Sequence, residues 1–143
     1  MKIYLDGPLF TTAEQEFNRR LRNFLENAGH KVWLPQEHEP RKRSTQATFE
    51  TDIAGPDGAE VVVANMDGPG TDSGTCWECG YAYQKKPIIL FRTDFREAGD
   101  VPGSPFNLKL LASATKTILA PLASVEELAS RIASALPELQ SAI

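Results

Sequence analysis

The sequence predicts a single-domain, Rossmann-like α/β fold, a three-layer sandwich around a five-stranded parallel sheet in flavodoxin-like order. Short apolar segments alternate with segments of helical periodicity along the chain, as expected of right-handed strand–helix–strand units. The run Val61–Val63 is apolar at every position, which is typical of a strand buried on both faces. The length of 143 residues suits one domain, residues 1–143.

A first strand and a first helix are predicted at the start of the chain. Ile3–Leu5 is a short apolar run that ends at the turn-forming residues 6–8, Asp-Gly-Pro. Thr12 with Gln15 three positions later fits a capping box at the start of a helix. Gly29 fits the end of that helix, because glycine readily adopts the left-handed conformation of a C-terminal cap. The apolar face of the helix has residues at helical spacing: Phe17, Leu21, Phe24 and Leu25.

The next segments predict a strand, a loop, a helix and a third strand. Val32–Leu34 is a short apolar run, and the polar stretch after it, to about Ser44, is expected to be a mobile loop. Residues 45–53 fit a helix that the Gly-Pro pair at 55–56 stops. Residues 60–65 contain the apolar run of the central strand.

The remaining elements complete the alternation of strands and helices. Residues 74–85 predict a helix, and residues 87–91 and 115–119 predict the fourth and fifth strands. Ser124 and Glu127 fit a second capping box, which begins the last helix. That helix is expected to dock through apolar residues at helical spacing: Val125, Leu128, Ile132 and Leu136.

The charge of the chain argues against a nucleic-acid polymer as partner. The formal net charge is −4, from 15 Lys and Arg against 19 Asp and Glu, so the chain offers no basic face to a phosphate backbone. The basic cluster is Arg41, Lys42 and Arg43. We interpret it as a solvated loop rather than a phosphate site, because Glu37 and Glu39 precede it.

The sequence also argues against a membrane protein or a secreted disulfide framework. No apolar run approaches the roughly 20 residues that span a bilayer, and Met1-Lys2 leads directly into a strand segment. Cys76 and Cys79 are two closely spaced cysteines, which is too few for a disulfide scaffold. We therefore expect a soluble cytoplasmic protein.

The parallel sheet predicts where a ligand would bind. In sheets of this kind the site lies outside the carboxyl ends of the strands, so the segments Tyr4–Phe10 and Asn65–Glu78 are expected to face each other across one crevice. Glu78 lies in the first turns of the helix at 74–85, where the macrodipole favours an ionised carboxylate at neutral pH. Such a carboxylate can attack an electrophilic carbon. The alternative is that Glu78 only stabilises its helix.

Two segments carry a resemblance to a known family. Lys2–Phe10 (KIYLDGPLF) and Asp72–Ala82 (DSGTCWECGYA) resemble the nucleoside 2-deoxyribosyltransferase family. The resemblance extends from the first strand through Asp52, the Glu78 segment and Asn107-Leu108 to the fifth strand. It implies an enzyme that moves 2-deoxyribose between nucleobases in nucleoside salvage, with deoxynucleosides and free nucleobases as substrates and without a cofactor or metal.

The resemblance implies three catalytic residues. Glu78 would be the nucleophile that attacks C1′ of the deoxyribose and forms a glycosyl-enzyme. Tyr4 would hydrogen-bond to that carboxylate and orient it, unless it is only a core aromatic residue. Asp52 would protonate the departing ring nitrogen and later deprotonate the incoming base, unless it is only a carboxylate on a helix surface.

The resemblance also implies the substrate-binding residues. Asp72 would accept hydrogen bonds from the sugar hydroxyls and repel a 5′-phosphate, since nucleotide-cleaving relatives carry a small hydroxyl residue there. Asn107 would reach into a neighbouring subunit of a homo-oligomer, unless it is a turn or cap asparagine. Gly7 belongs to the first-strand segment of the site. Phe10 and Trp33 are candidates to sandwich the base, although either could be a core residue.

Several alternatives remain open from the residues. The Cys76-Trp-Glu-Cys79 motif invites a thiol oxidoreductase, but it follows the third predicted strand rather than the first. A zinc site would need His30 and His38, which lack ligand spacing. The same site residues would also serve a nucleoside hydrolase or a non-catalytic nucleotide-binding module. A third alternative is a 5′-monophosphate N-glycosidase, which would need a phosphate pocket.

Overall fold

The computed structural model describes residues 1–38 and 44–140. Five parallel strands form one sheet in the order β2-β1-β3-β4-β5, with helices packed on both faces. The predicted fold class is therefore confirmed. The strands are β1 (Lys2–Asp6), β2 (Lys31–Trp33), β3 (Val61–Asn65), β4 (Ile88–Arg92) and β5 (Lys116–Leu119).

The helices divide between the two faces of this sheet. They are α1 (Thr12–Asn27), α2 (Pro35–His38), α3 (Thr45–Gly58), α4 (Ser73–Ala82), α5 (Leu108–Ser113) and α6 (Val125–Gln140). Helices α1 and α6 cover one face and share its apolar core, in which Leu21, Leu25 and Leu128 are fully buried. The other face carries α4, whose residues Cys79 and Ala82 are buried against the strands.

Strand β1 lies inside the sheet and presents alternate residues to the two faces. It pairs with β2 on one side and with β3 on the other. Ile3 and Leu5 point into the core under α1 and α6, whereas Tyr4 belongs to the core under α4. Because side chains alternate along a strand, Asp6 shares the α4 face with Tyr4.

The first capping box is displaced by one residue from its predicted position. Thr11, not Thr12, is the N-cap of α1, and its hydroxyl accepts a hydrogen bond from the backbone N–H of Glu14. Glu14, not Gln15, completes the box, because its carboxylate accepts the N–H of Thr11 at 2.8 Å. Thr11 has the extended backbone (φ −114°) that an N-cap requires. The predicted Gly29 terminus agrees with the structure, where Gly29 follows the helix with φ +90°.

The Gly-Pro pair at 55–56 does not stop its helix, contrary to expectation. Helix α3 continues to Gly58 and contains Pro56. Gly55 is buried and lies where a side chain would collide with the ring of Tyr4, so its role is close packing rather than termination. The short helices α2 and α5 were also not predicted, since helical periodicity is difficult to read in four or six residues.

Two further expectations concern the polar stretch after β2 and the membrane. Part of that stretch is the helix α2, and its basic cluster Arg41, Lys42 and Arg43 lies outside the described residues. Within residues 1–38 and 44–140, no helix combines the length and apolar character needed to cross a bilayer.

Candidate active site

A cavity of about 130 Å³ opens at the carboxyl end of β1. The segment after β1 and the start of α4 meet there, as the topology predicted. Both α3 and Pro35 complete its wall. The residues that line the cavity are Tyr4, Asp6, Gly7, Leu9, Phe10, Pro35, Asp52, Asp72, Gly74, Thr75 and Glu78. It thus contains every sequence-predicted site residue except Asn107 and the aromatic candidate Trp33.

Tyr4 reaches the cavity from the middle of the sheet. Its side chain is fully buried, and burial is the main reason why the pKa of its phenol is raised, followed by the negative charges of Asp6 and Glu78. The phenol is therefore protonated and can donate a hydrogen bond. It lies close enough to Glu78 to lower the pKa of that carboxyl, but among the described residues it has no well-aligned hydrogen-bond partner.

Gly55 allows Tyr4 to occupy this place. A Cβ atom built on Gly55 would lie 2.4 Å from Tyr4 Cε2 and 2.7 Å from Trp33 Nε1, both far inside normal contact distance. The same helix carries Asp52 three residues earlier, on the same side of α3. The close approach of α3 to β1 therefore brings Asp52 to the wall of the cavity, where its charge raises the pKa of Glu78.

Glu78 lies in the second turn of α4. Its carboxyl group is protonated at neutral pH, whereas the sequence predicted an ionised carboxylate. Burial, the negative charge of Asp6 and a hydrogen bond with Asp6 raise its pKa to about 10. The prediction of a carboxylate stabilised by the helix dipole is wrong because that effect fades beyond the first turn. Desolvation and a neighbouring like charge outweigh it.

Asp6 is the site residue that the sequence analysis missed. It is only 4% exposed, and burial raises the pKa of its carboxyl to about 6, although hydrogen bonds with Glu78, Thr75 and the Gly7 backbone oppose the shift. Asp6 and Glu78 are thus two adjacent buried carboxyl groups whose ionisations depend on each other. In the sequence, Asp6 lies in a turn-like Asp-Gly-Pro triplet, and nothing local indicates its contact with Glu78.

Asp72 has a structural task as well as a place in the cavity. It is the N-cap of α4, and its Oδ2 accepts hydrogen bonds from the Thr75 backbone N–H at 2.9 Å and the Thr75 hydroxyl at 3.2 Å. This cap fixes the start of the helix that carries Glu78. Gly7 packs tightly on the other wall, where an added Cβ would lie 2.8 Å from Asn65 Cβ.

The two aromatic candidates for base binding have different surroundings. Phe10 lines the cavity and is 69% exposed, so its ring is free to contact a ligand at the rim. Trp33 instead stacks on His38, with ring centroids 3.8 Å apart, and borders a separate pocket with Gly55. Trp33 therefore does not line the same cavity as Phe10, and a sandwich of the base between the two rings stays a prediction.

Asn107 does not reach the cavity of its own chain. It is the N-cap of α5, where its Oδ1 accepts the Lys109 N–H at 2.9 Å and its Nδ2 donates to Asp100 at 3.0 Å. Its side chain borders a separate cavity of about 790 Å³ between α4 and α5. The cap alternative thus describes its contacts within one chain, and a role across an interface stays a prediction.

The two cysteines do not have the properties of a redox motif. Both are free thiols, and Cys79 is buried in the core. Burial and the charge of nearby carboxylates raise the pKa of both thiols. A thiol oxidoreductase needs the opposite shift, toward the thiolate.

Comparisons with known proteins find the same fold in several solved structures. A conserved protein from Enterococcus faecalis is 25% identical, with a TM-score of 0.73, and the match covers 94% of this chain and 98% of that chain. A 2-deoxyribosyltransferase from Bacillus psychrosaccharolyticus is 24% identical, with a TM-score of 0.69, over 90% of each chain.

A third solved structure is the Clostridium botulinum CMP N-glycosidase BcmB. It is 18% identical, with a TM-score of 0.64, over 92% of this chain and 97% of that chain. No curated protein sequence matches. The family model described as nucleoside 2-deoxyribosyltransferase matches residues 3–109, which is most of the chain. The chain therefore belongs to the nucleoside 2-deoxyribosyltransferase family.

Proposed function

We propose that this protein transfers 2-deoxyribose from one nucleobase to another through a covalent intermediate on Glu78. The observation that carries the proposal is the grouping of Glu78, Tyr4 and Asp52 around one cavity at the carboxyl end of the sheet. A nucleophile, a hydrogen-bond donor that orients it and a carboxyl group for proton transfer are what a retaining glycosyl transfer requires.

The first half of the reaction forms the glycosyl-enzyme. An oxygen of Glu78, in its ionised form, attacks C1′ of the deoxynucleoside, and the bond from C1′ to the base nitrogen breaks. The electron pair of that bond goes to the base, which takes a proton from the carboxyl group of Asp52. The products are a neutral free base, a deoxyribosyl ester of Glu78 and an ionised Asp52.

The second half reverses these steps with a different base. Asp52 accepts the N–H proton of the incoming base, whose nitrogen attacks C1′ from the face that the first base left. The C1′–O bond to Glu78 breaks, and its electron pair returns to the carboxylate. Two displacements at C1′ restore the original configuration.

The remaining cavity residues support selection of free 2′-deoxynucleosides. Asp72 uses Oδ2 in the helix cap, which leaves Oδ1 to accept a hydrogen bond from a sugar hydroxyl. Its negative charge disfavours a 5′-phosphate. Among the described residues, no Lys, Arg or His lines this cavity. Ribonucleosides should react much more slowly, because a 2′-hydroxyl withdraws electrons from the oxocarbenium-like transition state.

Hydrolysis is a second candidate, favoured by the likeness to the fold of a CMP N-glycosidase. In that case water, rather than a second base, would attack C1′ of the glycosyl-enzyme. The same residues would serve both reactions, and exclusion of water from the loaded cavity would decide between them.

The experiment that tests the proposal is incubation with deoxyinosine and free adenine, followed by chromatography of the products. Deoxyadenosine formed by the wild-type protein but not by Glu78→Ala would support transfer through Glu78. Hypoxanthine without deoxyadenosine would indicate a hydrolase. If neither appears with purine or pyrimidine deoxynucleosides or their monophosphates, while ligands still bind, the protein is a binding module.

We also propose a homo-oligomer in which Asn107 completes the site of a neighbouring chain. What supports this is that Asn107 does not line the cavity of its own chain and instead borders the pocket between α4 and α5. A cytoplasmic location is proposed on the two free thiols, Cys76 and Cys79, which suit a reducing compartment.

A further inference from the structure

The carboxyl group of Asp6 has no role in the reaction as described so far. It lines the same cavity as Glu78, and it is almost completely buried. Its Oδ2 atom has no hydrogen-bond partner within the described part of the chain. A buried carboxyl oxygen without a partner is costly, so an oxygen of this kind at a cavity wall indicates a group that is used when the site works.

The groups around Asp6 are acidic or neutral rather than basic. Helix α4 presents Glu78, Cys76 and Cys79, all of which interact electrostatically with Asp6. Asp72 faces it from the cap of α4, and Tyr4 lies on its own strand. From α3, Asp52 faces Glu78 and Tyr4. With no cation in this set, full ionisation of both Asp6 and Glu78 would place two negative charges together in a buried site.

We propose that Asp6 is a positioning residue that takes the proton of Glu78 when Glu78 attacks the sugar. This inference rests on the proposed function and names a further residue for it. In the resting site Glu78 carries the proton and donates it in a hydrogen bond to ionised Asp6. In the reactive state the proton is on Asp6, which then donates a hydrogen bond to ionised Glu78.

The pKa values of the two groups agree with this assignment. The hydrogen bond between them lowers the pKa of Asp6 and raises that of Glu78, which places the resting proton on Glu78. As C1′ acquires positive charge in the transition state, it favours a negative Glu78 and so drives the proton toward Asp6. No proton has to enter or leave the site for this step.

The proton balance holds through the whole cycle. The Glu78 O–H bond breaks, Asp6 gains the proton, and the freed electron pair of Glu78 forms the bond to C1′. While Glu78 is an ester, Asp6 keeps the proton and can donate it in a hydrogen bond to the ester carbonyl oxygen. When the second base attacks and Glu78 leaves as a carboxylate, the pair again holds one proton.

The test is to replace Asp6 by Asn, which keeps the volume and a hydrogen-bond donor but cannot take a proton. Asp and Glu carboxyl carbons are followed by NMR as the pH is varied, without substrate. The wild-type pair should titrate in two steps, near pH 6 and near pH 10. Glu78 of Asp6→Asn should titrate once, between those two values, because its like-charged partner is gone. An unchanged Glu78 titration would overturn the proposal.

The pH profile of kcat/KM tests the same idea during turnover. In the wild type, activity should fall below about pH 6, where Asp6 becomes protonated and can no longer accept. In Asp6→Asn, Glu78 must lose its proton to solvent, so this acid limb should move up by about one pH unit. Glu138→Gln, which removes an exposed carboxylate paired with Lys116, is the matched control and should leave the limb in place. A limb that stays in place in Asp6→Asn would overturn the proposal.

A third variant keeps the test decisive if Asp6→Asn does not fold. In the wild type the Asp6 carbon should show its main step near pH 6 and a smaller inflection near pH 10, when Glu78 ionises beside it. In Glu78→Gln the step near pH 6 should remain and the inflection near pH 10 should disappear, because coupling between two groups is reciprocal. If the wild-type Asp6 signal shows no second inflection near pH 10, the two groups are not coupled and the proposal is overturned. The titrations need no activity, so they are separate from the deoxyinosine assay, whose failure would instead count against the proposed function.

Discussion

The ring of Tyr4 packs directly on the backbone of Gly55, where an added Cβ would lie 2.4 Å from Cε2. Gly55→Ala should therefore displace Tyr4, lower kcat, and cost about 1–3 kcal/mol of unfolding free energy through overpacking. Denaturant unfolding and steady-state kinetics would measure both effects. Gly58→Ala in the same helix is the matched control, since nothing lies within 4 Å of its Cβ, and it should leave both quantities nearly unchanged. Equal effects of the two variants would contradict this account.

Tyr4→Phe should separate catalysis from stability. The hydroxyl is buried without an aligned partner, so its removal should change the unfolding free energy by less than about 1 kcal/mol. The loss of a hydrogen-bond donor to ionised Glu78 should nevertheless reduce kcat by about tenfold to a hundredfold. Steady-state kinetics of the variant measure the change in kcat, and thermal unfolding measures the change in stability. Full activity in Tyr4→Phe would mean that the ring, and not the hydroxyl, is what the site needs.

Asp72→Ser should change specificity without damaging the fold. Serine is as good an N-cap as aspartate, so α4 should keep its cap on Thr75 while the negative charge disappears from the cavity. We expect kcat/KM for a deoxynucleoside 5′-monophosphate to rise relative to that for the free deoxynucleoside. Asp72→Ala also removes the charge but should cost about 0.5–2 kcal/mol through the lost cap. If the preference for free nucleosides survives in both variants, another residue must set it.

Mixing two inactive variants tests whether Asn107 acts across an interface. Asn107→Ala chains have an intact Glu78, and Glu78→Ala chains have an intact Asn107. In a dimer with one chain of each kind, one site would contain both residues, so random mixing should restore about a quarter of the wild-type activity. Activity after unfolding and refolding the two variants together, compared with each alone, is the measurement. If activity does not recover in the mixture, Asn107 acts only as the N-cap of α5 in its own chain.

The acidic pair should make the protein less stable as the pH rises. The pKa of Asp6 is about 6 in the folded chain, against 3.8 for an ordinary aspartate, and that of Glu78 is about 10 against 4.5. The folded state thus binds more protons than the unfolded state above about pH 4, so stability falls with increasing pH. Melting temperatures from about pH 5 to about pH 8 should decline in the wild type and decline less in Asp6→Asn. If the melting temperatures of the wild type and Asp6→Asn decline equally with pH, the acidic pair does not govern this pH dependence.

A loss of stability in acid should have a different origin. The pKa of Asp94 is lowered to about 2 by the backbone N–H of Gly68 and by Arg92 and Arg96, which outweigh the effect of its burial. Its contribution to stability is present above the ordinary aspartate pKa of 3.8 and is lost as the pH falls toward 2. Asp94→Asn should therefore weaken the dependence of the melting temperature on pH in that range. An unchanged dependence would assign the acid transition to other groups.

Some parts of this molecule can be predicted from its sequence for clear physical reasons. The run Val61–Val63 is apolar throughout because the strand is buried on both faces, and Glu78 follows a loop at the carboxyl end of that strand. The place of the cavity follows from topology. Gly55 was misread because the steric reason for a glycine lies in the rings that pack against it, Tyr4 and Trp33, and not in its sequence neighbours.

The acidic pair could not be predicted in the same way. An Asp-Gly-Pro triplet after a strand is a common turn signal, so Asp6 gives no local sign of burial. Its partner Glu78 belongs to another element, and only the packing of α4 on the sheet brings them together. The ionisation of Glu78 was mispredicted for the same reason, since the helix position is local information and the neighbouring carboxyl is not.

The elements that hold the acidic pair also set how the protein should inactivate. Asp6 ends a strand with neighbours on both sides, and Glu78 precedes Cys79, which anchors α4 in the core. Neither element can fray alone, because low-energy openings are found at termini and exposed loops. Heating should therefore not separate Asp6 from Glu78 before the chain itself unfolds, and a folded chain in which only this pair has come apart should not accumulate.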